Sequence, residues 1–233
     1  MRIALFGGTF DPVHLGHLAV ARAAAVRFKL DLVYFVPADI PPHKQKRQLT
    51  DFQHRFAMLA LATAEDRRFV PSLLDAHTGH PSYSVETVRR LKSRLGQTDK
   101  PYFLIGMDAF RDIAKWRKPV ALLRECEFIV AARPGHSLVD VARSLPKELR
   151  PPKQMLQSLS SQQSGTIALP GVTVHLLREL RERVSSTEIR AAADKSARHL
   201  GRYVPKLVAE YIRKEHLYGS GTAQVNGRGG YRD

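Results

Sequence analysis

The sequence predicts an α/β protein, a parallel β-sheet wrapped by helices, and three observations carry the prediction. Short runs rich in β-branched and aromatic residues alternate with helical patterns along the chain, the order that βαβ units impose. The first run ends in a glycine pair that leads straight into a helical pattern, FGGTFDPVHLGH, from Phe6 to His17. With 233 residues, 43% of them hydrophobic, the chain is long enough to bury a sizeable core, and its length favours one domain or two small ones.

In chain order, residues 2–6 (RIALF) form a short apolar run that reads as a strand. Residues 14–28 (HLGHLAVARAAAVRF) read as the helix after it, and 31–37 (DLVYFVP) as the second strand. The next helix, 52–64, carries Phe56, Leu59 and Leu61 behind Thr50 and Gln53, which have the spacing of a capping box. A helix over 85–95 stops at Gly96, and 101–106 (PYFLIG) and 127–133 (EFIVAAR) are strands. Residues 136–171 are richer in Pro, Ser and Gln, as in PPKQ and SLSSQQSG, and read as a mobile insertion, a lid or contact surface, with one short helix near 139–144. A final strand, 172–177 (VTVHLL), leads to SSTEIR. The last helix starts near Pro205, carries Leu207, Val208, Tyr211 and Ile212, and stops at Gly219. The expectation is one domain over 1–218, interrupted by the 136–171 insertion, and a disordered tail over 219–233 with too few apolar residues to fold.

Thirty-seven Lys and Arg against twenty-two Asp and Glu give a formal charge of +15, which favours polyanionic partners. The cations are scattered, as in RRLKSR and RELRER, with no aromatic-interleaved stripe, so solvated basic helix faces explain them as well and nucleic acid is not the favoured partner. Apolar runs fall far short of the ~20 residues a membrane helix needs, and MRIALFGG runs into glycines rather than a leader's apolar core. A single cysteine, Cys126, suits a reducing compartment and a core position, so the cytoplasm is the expected location. Assembly into a homo-oligomer stays open.

Four stretches carry chemistry. Glycines directly after a strand let a ligand approach the backbone, and the following helix offers amides and a positive dipole end, a setting for phosphate. Neither GxGxxG nor GxxxxGK[ST] is present. His14 and His17, three apart, would share one face at the helix start and reach one bound anion. A zinc site would need more ligands, HExxH spacing is missing and the sole cysteine is far away in sequence; rings that merely cap the turn are the other alternative. In VSSTEIR, Ser185 and Glu188 fit a capping box, leaving Ser186, Thr187 and Arg190 as an anion site or as an ordinary helix start with a surface arginine. In IGMD, Gly106 permits close approach, and Asp108 is either an acceptor for ribose hydroxyls or a cap. Trp116, the only tryptophan, lies among cations in AKWRKP, a setting for stacking on a flat ring. Tyr83 and Ser84 open the helix of SVETVRRL, where amides and a hydroxyl suit a carboxylate or simply cap.

Together these residues carry a resemblance. TFDPVHLGH is similar to the signature of the nucleotidyltransferase superfamily whose T/HxGH motif binds ATP phosphates, shared by pantetheine-phosphate adenylyltransferase, cytidylyltransferases and, more remotely, class I aminoacyl-tRNA synthetases. VPADIPPHK, HPSYSVETV, IGMD with Trp116, VAARPG and SSTEIR narrow it, and over about residues 1–218 the chain resembles bacterial nicotinate-nucleotide adenylyltransferases. That resemblance implies a Rossmann-like fold of nucleotidyltransferase type with helices on both faces. It implies transfer of AMP from ATP to nicotinate mononucleotide, giving deamido-NAD and pyrophosphate in NAD biosynthesis, with Mg²⁺ carried in by the substrate and no metal site of the protein's own. It assigns His14, His17 and Arg190 to the transfer, and Gly7, Gly8, Thr9, Phe10, Gly106, Asp108, Ser186 and Thr187 to ATP. Lys44, Tyr83, Ser84, Trp116 and Arg133 fall to the nicotinate nucleotide. Ser84 stands where a threonine is as often expected, and either supplies a hydroxyl; the 136–171 segment is longer than in the simplest members. A sister transferase with a nicotinamide mononucleotide, glycerol phosphate or phosphopantetheine acceptor, and a basic nucleic-acid-binding protein without catalysis, are the alternatives.

Overall fold

A computed structural model describes residues 1–42, 49–160, 165–178, 185–195 and 197–219, with the backbone alone given at 160, 193–195 and 197–199. Lys44 and residues 220–233 of the expected tail therefore lie outside the described residues. The strands are β1 (Arg2–Gly8), β2 (Leu32–Pro37), β3 (Phe69–Pro71), β4 (Lys100–Gly106), β5 (Glu127–Ala132), β6 (Gly165–Leu169) and β7 (Val172–Arg178). They form one sheet in the order β3-β2-β1-β4-β5-β7-β6, parallel except where β6 and β7 make a hairpin.

Both faces of the sheet are covered, which is why its central strands are apolar throughout rather than alternating. Along β4, Phe103 and Ile105 enter one core with Val88, Leu122 and Phe128. Tyr102 and Leu104 enter the other with Met58, Leu59 and Val208. The helices on these faces include α1 (Leu15–Phe28), α2 (Phe52–Thr63), α3 (Ser84–Lys92), α4 (Met107–Phe110) and α5 (Pro119–Glu125). In the C-terminal half they are α6 (Leu138–Ser144), α7 (Lys153–Ser160), α8 (Ser186–Lys195) and α9 (Lys206–Lys214).

The structure departs from the expected elements in four places. Thr50 and Gln53 form no capping box: Asp51 is the N-cap of α2 without a side-chain bond, its carbonyl accepts the first helical bond from the Arg55 amide, and the Thr50 carbonyl accepts from Arg55 Nε at 2.8 Å. The helix expected over 85–95 ends at Lys92 and unwinds through turns closed by Arg94 and Leu95 amides. Strand β3 and helices α4 and α5, of three, four and seven residues, are too short to show a period. The 136–171 segment, in its described part, is not a loose insertion. It folds as α6, α7 and edge strand β6, with Leu138, Val141, Leu145, Leu159 and Ile167 buried against the sheet. Its polar composition reflects an outer layer with one apolar face.

Strand β1 lies mid-sheet. The chain moves outward through β2 and β3, then crosses to β4 on the other side of β1. The loops leaving β1 and β4 therefore diverge, and open α/β sheets bind ligands in the crevice at such a reversal of strand order. Gly8 and Gly106 are the last residues of the two strands.

Candidate functional site

A cavity of about 920 Å³ occupies that crevice. Its wall brings together Gly7, Gly8, Thr9, His14, His17, Tyr83, Ser84, Gly106, Asp108, Trp116 and Arg133, from segments spread over more than half the chain.

The two histidines do more than sit side by side. His14 is the N-cap of α1 in extended backbone conformation, and His17 is the third helical residue. The His17 amide donates to His14 Nδ1 at 3.3 Å, and the His14 amide donates to His17 Nδ1 at 3.2 Å. This is a capping box built from two imidazoles instead of a hydroxyl and a carboxylate. An Nδ1 that accepts an amide proton leaves the ring proton on Nε2, so each ring is fixed in one tautomer as a donor through Nε2. The rings stack with centroids 3.6 Å apart, which aligns the two donors. The capping alternative and the anion alternative are thus compatible.

The amides of α1 play a smaller part than its position suggests. The Leu15 amide donates to the Tyr203 carbonyl at 2.8 Å, and the His17 amide is committed to His14. An anion at this turn meets imidazole donors more than the open helix end expected there.

Burial, and after it the charge of Arg133, pushes the pKa of His14 down to about 4, with Glu188 opposing. His14 therefore stays neutral when ordinary histidines protonate. The unfolded chain binds this proton below about pH 6.5 and the folded chain only near 4, so stability rises with pH through that window and is lost as pH falls from 6.5 toward 4. We expect the His14 ring to titrate near pH 4 in a proton NMR series, with no His14 limb in the rate between pH 6 and 8. A midpoint of 6 or above would show that the ring is not held in this neutral cap.

Three residues expected at ATP have side chains engaged with the protein itself. Phe10 is 1% exposed and packs edge-on against Phe6 and His17. Its side chain supports the loop from below, and a Cβ on Gly8 would stand 3.2 Å from its ring. Ser186 and Arg190 do not face outward: the Ser186 hydroxyl donates to the Pro12 carbonyl at 3.1 Å, and Arg190 donates to the Asp11 carbonyl. Arg190 also reaches the Thr187 hydroxyl at 3.0 Å. The Ser185–Glu188 capping box is present, and the start of α8 docks behind the β1–α1 loop. Across the crevice, Gly106 rather than Asp108 is the N-cap of α4, so the exposed Asp108 carboxylate is not used as a cap. A Cβ on Gly106 would touch nothing within 4 Å.

At the other end of the cavity, Tyr83 is the N-cap of α3, and the Glu86 and Thr87 amides bond its carbonyl. The first amides of a helix have no partner within it, and the first of α3 belongs to Ser84, at the cavity wall. Trp116 stands edge-on to Phe103 with centroids 6.4 Å apart, and the Arg117 guanidinium lies 4.7 Å from the Tyr83 ring. Buried Asp75 secures α3 from below, accepting bonds from the Thr87 hydroxyl at 2.7 Å and Arg90 at 2.5 Å; burial still pushes its carboxyl pKa up.

Sequence reasoning missed Arg55. It is 2% exposed and donates to the carbonyls of Thr50, Thr9, Ala38 and Asp39, tying the loop after β1 to the loop after β2. The signal was present: Arg55 falls on the buried stripe Phe52, Met58, Leu59, Ala62 of α2, a charge in an apolar register. Among the described residues no group of three His, Cys, Asp or Glu could hold a metal ion, and no helix is long and apolar enough to cross a membrane. Cys126 is half-buried, and desolvation pushes its thiol pKa up.

The cytidylyltransferase-like family model matches residues 5–192. A protein of Solibacter usitatus (strain Ellin6076) named "Probable nicotinate-nucleotide adenylyltransferase" is 38% identical over 94% of this chain and all of its own length. One of the same name from Thermoanaerobacter sp. (strain X514) is 34% identical, covering 94% of both chains. Among solved structures, Plasmodium falciparum nicotinic acid mononucleotide adenylyltransferase complexed with NaAD has a TM-score of 0.67 at 19% identity, over 93% of this chain and 97% of that one. That likeness is one of fold.

Proposed function

The chain belongs to the cytidylyltransferase-like family and, within it, to the nicotinate-nucleotide adenylyltransferases, and from that membership we propose that it transfers AMP from ATP to nicotinate mononucleotide. The products are deamido-NAD and pyrophosphate. The observation that carries the reading is the pair of stacked imidazoles whose Nδ1 atoms are taken up by the capping bonds, leaving Nε2 for a ligand where strand order reverses.

No covalent intermediate with the protein is needed, because the acceptor's phosphate is already a nucleophile. One of its oxygens bonds to the α-phosphorus of ATP as the bond from that phosphorus to the bridging oxygen breaks, and pyrophosphate carries away the electron pair. The protein's work is to hold the two in line and to stabilise charge on the oxygens. In this reading His14 and His17 donate to ATP phosphate oxygens, Gly7, Gly8 and Thr9 let the nucleotide lie against the end of β1, and Gly106 and Asp108 hold the adenylate side. Ser186, Thr187 and Arg190 serve the pyrophosphate side, Ser186 and Arg190 through the loop they brace. The start of α3 at Tyr83 and Ser84 receives the nicotinate carboxylate, Trp116 stacks on the pyridine ring, and Arg133 faces the acceptor phosphate; Lys44 keeps its expected place on that side by resemblance. Asp108 and Asp112 reach the cavity without forming an acidic cage, so Mg²⁺ would draw its ligands from substrate phosphates and water and supply neutralising charge there.

The deciding assay supplies ATP and Mg²⁺ with nicotinate mononucleotide, nicotinamide mononucleotide or phosphopantetheine and identifies the product by mass. Deamido-NAD as the main product supports the reading, and preference for another acceptor sinks it. Salt-dependent RNA binding without pyrophosphate release would favour the non-catalytic alternative. Trp116→Ala is expected to raise KM for nicotinate mononucleotide about tenfold, the scale of one lost aromatic stack, and to leave KM for ATP within twofold. Equal weakening of both substrates would remove Trp116 from the pyridine.

A further inference from the structure

The transfer leaves one buried carboxylate unused. Asp11 is 2% exposed in the loop between Thr9 and His14, yet it is not part of the cavity wall. Burying a carboxylate beside an anion site is unfavourable unless hydrogen bonds hold it. Its partner comes from the far end of the described chain: the Tyr218 phenol donates to Asp11 Oδ1 at 2.8 Å, across 207 positions of sequence.

The route of the chain to that contact is specific. After α9 the backbone turns back through positive φ at His216 (49°) and again at Tyr218 (67°), a region that bulky residues rarely occupy unless their surroundings enforce it. The Leu217 amide closes the turn on the Ile212 carbonyl at 3.0 Å, and Leu217 and Tyr218 pack on the core beneath β1. The same C-terminal region holds the loop a second time, through the Tyr203 carbonyl on the Leu15 amide. Burial first, and then the charge of Asp11, keeps the phenol protonated and so a donor. Arg190 grips Asp11 at its carbonyl while Tyr218 grips it at its carboxylate.

We propose that Tyr218 is a positioning residue for nucleotidyl transfer: acting through Asp11, its phenol fixes the loop that presents His14 and His17, so the C-terminal turn sets the geometry of the phosphate donors. The inference rests on the reading of that loop as the ATP phosphate site.

The test is Tyr218→Phe, which keeps the ring and removes the hydroxyl, with its bond to Asp11 and its hydrogen bond with Thr50. Steady-state kinetics should show kcat about tenfold lower, the weight of a hydrogen bond to a charged group, with KM for nicotinate mononucleotide within twofold. Tyr218→Phe with kcat and both KM values within twofold of wild type overturns the proposal, as does a loss shared by both substrates in step with a lowered Tm. A second pair keeps the question open to refutation if that variant folds poorly. Asp11→Asn retains an acceptor oxygen for the phenol and should keep at least fivefold more kcat than Asp11→Ala, an effect on the order of one hydrogen bond; equal rates for the two overturn it. Wild-type protein runs in the same assay: no pyrophosphate from it sinks the transfer reading itself, whereas wild-type turnover with unaffected variants sinks the positioning role alone.

Discussion

Replacing His17 by Ala is expected to lower kcat by about 10² to 10³, the usual cost of removing one donor from a transition state in which charge builds on bound oxygens. The two roles of this ring make the variant informative only beside a control. His17 Nδ1 accepts the His14 amide, so Ala also breaks the capping box and costs about 0.5–2 kcal/mol of stability. His17→Gln separates the roles. Glutamine at this helical position completes a capping box and so restores the acceptor, but it does not reproduce an imidazole Nε2 donor stacked on His14. We expect Gln to recover Tm and not the rate, measured by thermal melting and pyrophosphate release on the same preparations. If Gln returns both, His17 is a cap and nothing more.

That dual use explains why the site was legible in the sequence and its geometry only partly so. The glycines after RIALF, the two histidines, the HPSYSVETV turn and Trp116 were recognisable because each depends on residue type at a fixed spacing, which sequence preserves. The positions of Ser186 and Arg190 were not, because whether a side chain faces a ligand or a neighbouring loop depends on a contact between segments more than 170 residues apart, such as Ser186 on Pro12; Phe10 turns inward through ring contacts with Phe6 and His17 that residue type and spacing do not reveal. The fold shows the same division. Strands buried on both faces announced themselves as apolar runs, and α1 by its length. β6 and α7 did not, because an outer layer buries one face only, and residues such as Thr166 and Gln157 then read as loop. The capping assignments split on where the helix begins: Ser185 stands directly before α8 and forms its box with Glu188, whereas α2 takes Asp51, one residue past Thr50, as its N-cap.

Arg55 is also where the largest loss of stability is expected. Arg55→Met fills nearly the same space and removes every donor, leaving the carbonyls of Thr50, Thr9, Ala38 and Asp39 without that partner. Hydrogen bonds from a charged group carry about 1.5–3 kcal/mol each, and relaxation recovers part of the sum, so a loss of about 3–5 kcal/mol follows. For a chain of this size that lowers Tm by roughly 6–20 °C. Burial pushes the guanidinium pKa down while Asp11, Asp39 and Asp51 oppose it, so the charge is tolerated because carboxylates surround it. Lysine is a poor substitute: an ammonium lacks the planar fork that serves the Thr50, Thr9 and Ala38 carbonyls from Nε and Nη1 at once, so Arg55→Lys should fall between Met and wild type. The functional consequence separates Arg55 from Trp116. Because Arg55 ties Thr9, on the proposed ATP side, to Ala38 and Asp39, which lead toward the proposed acceptor side, its loss should weaken both substrates together. A Met variant that melts within about 2 °C of wild type, less than the shift expected from 1 kcal/mol, would mean that water or other donors already serve those carbonyls.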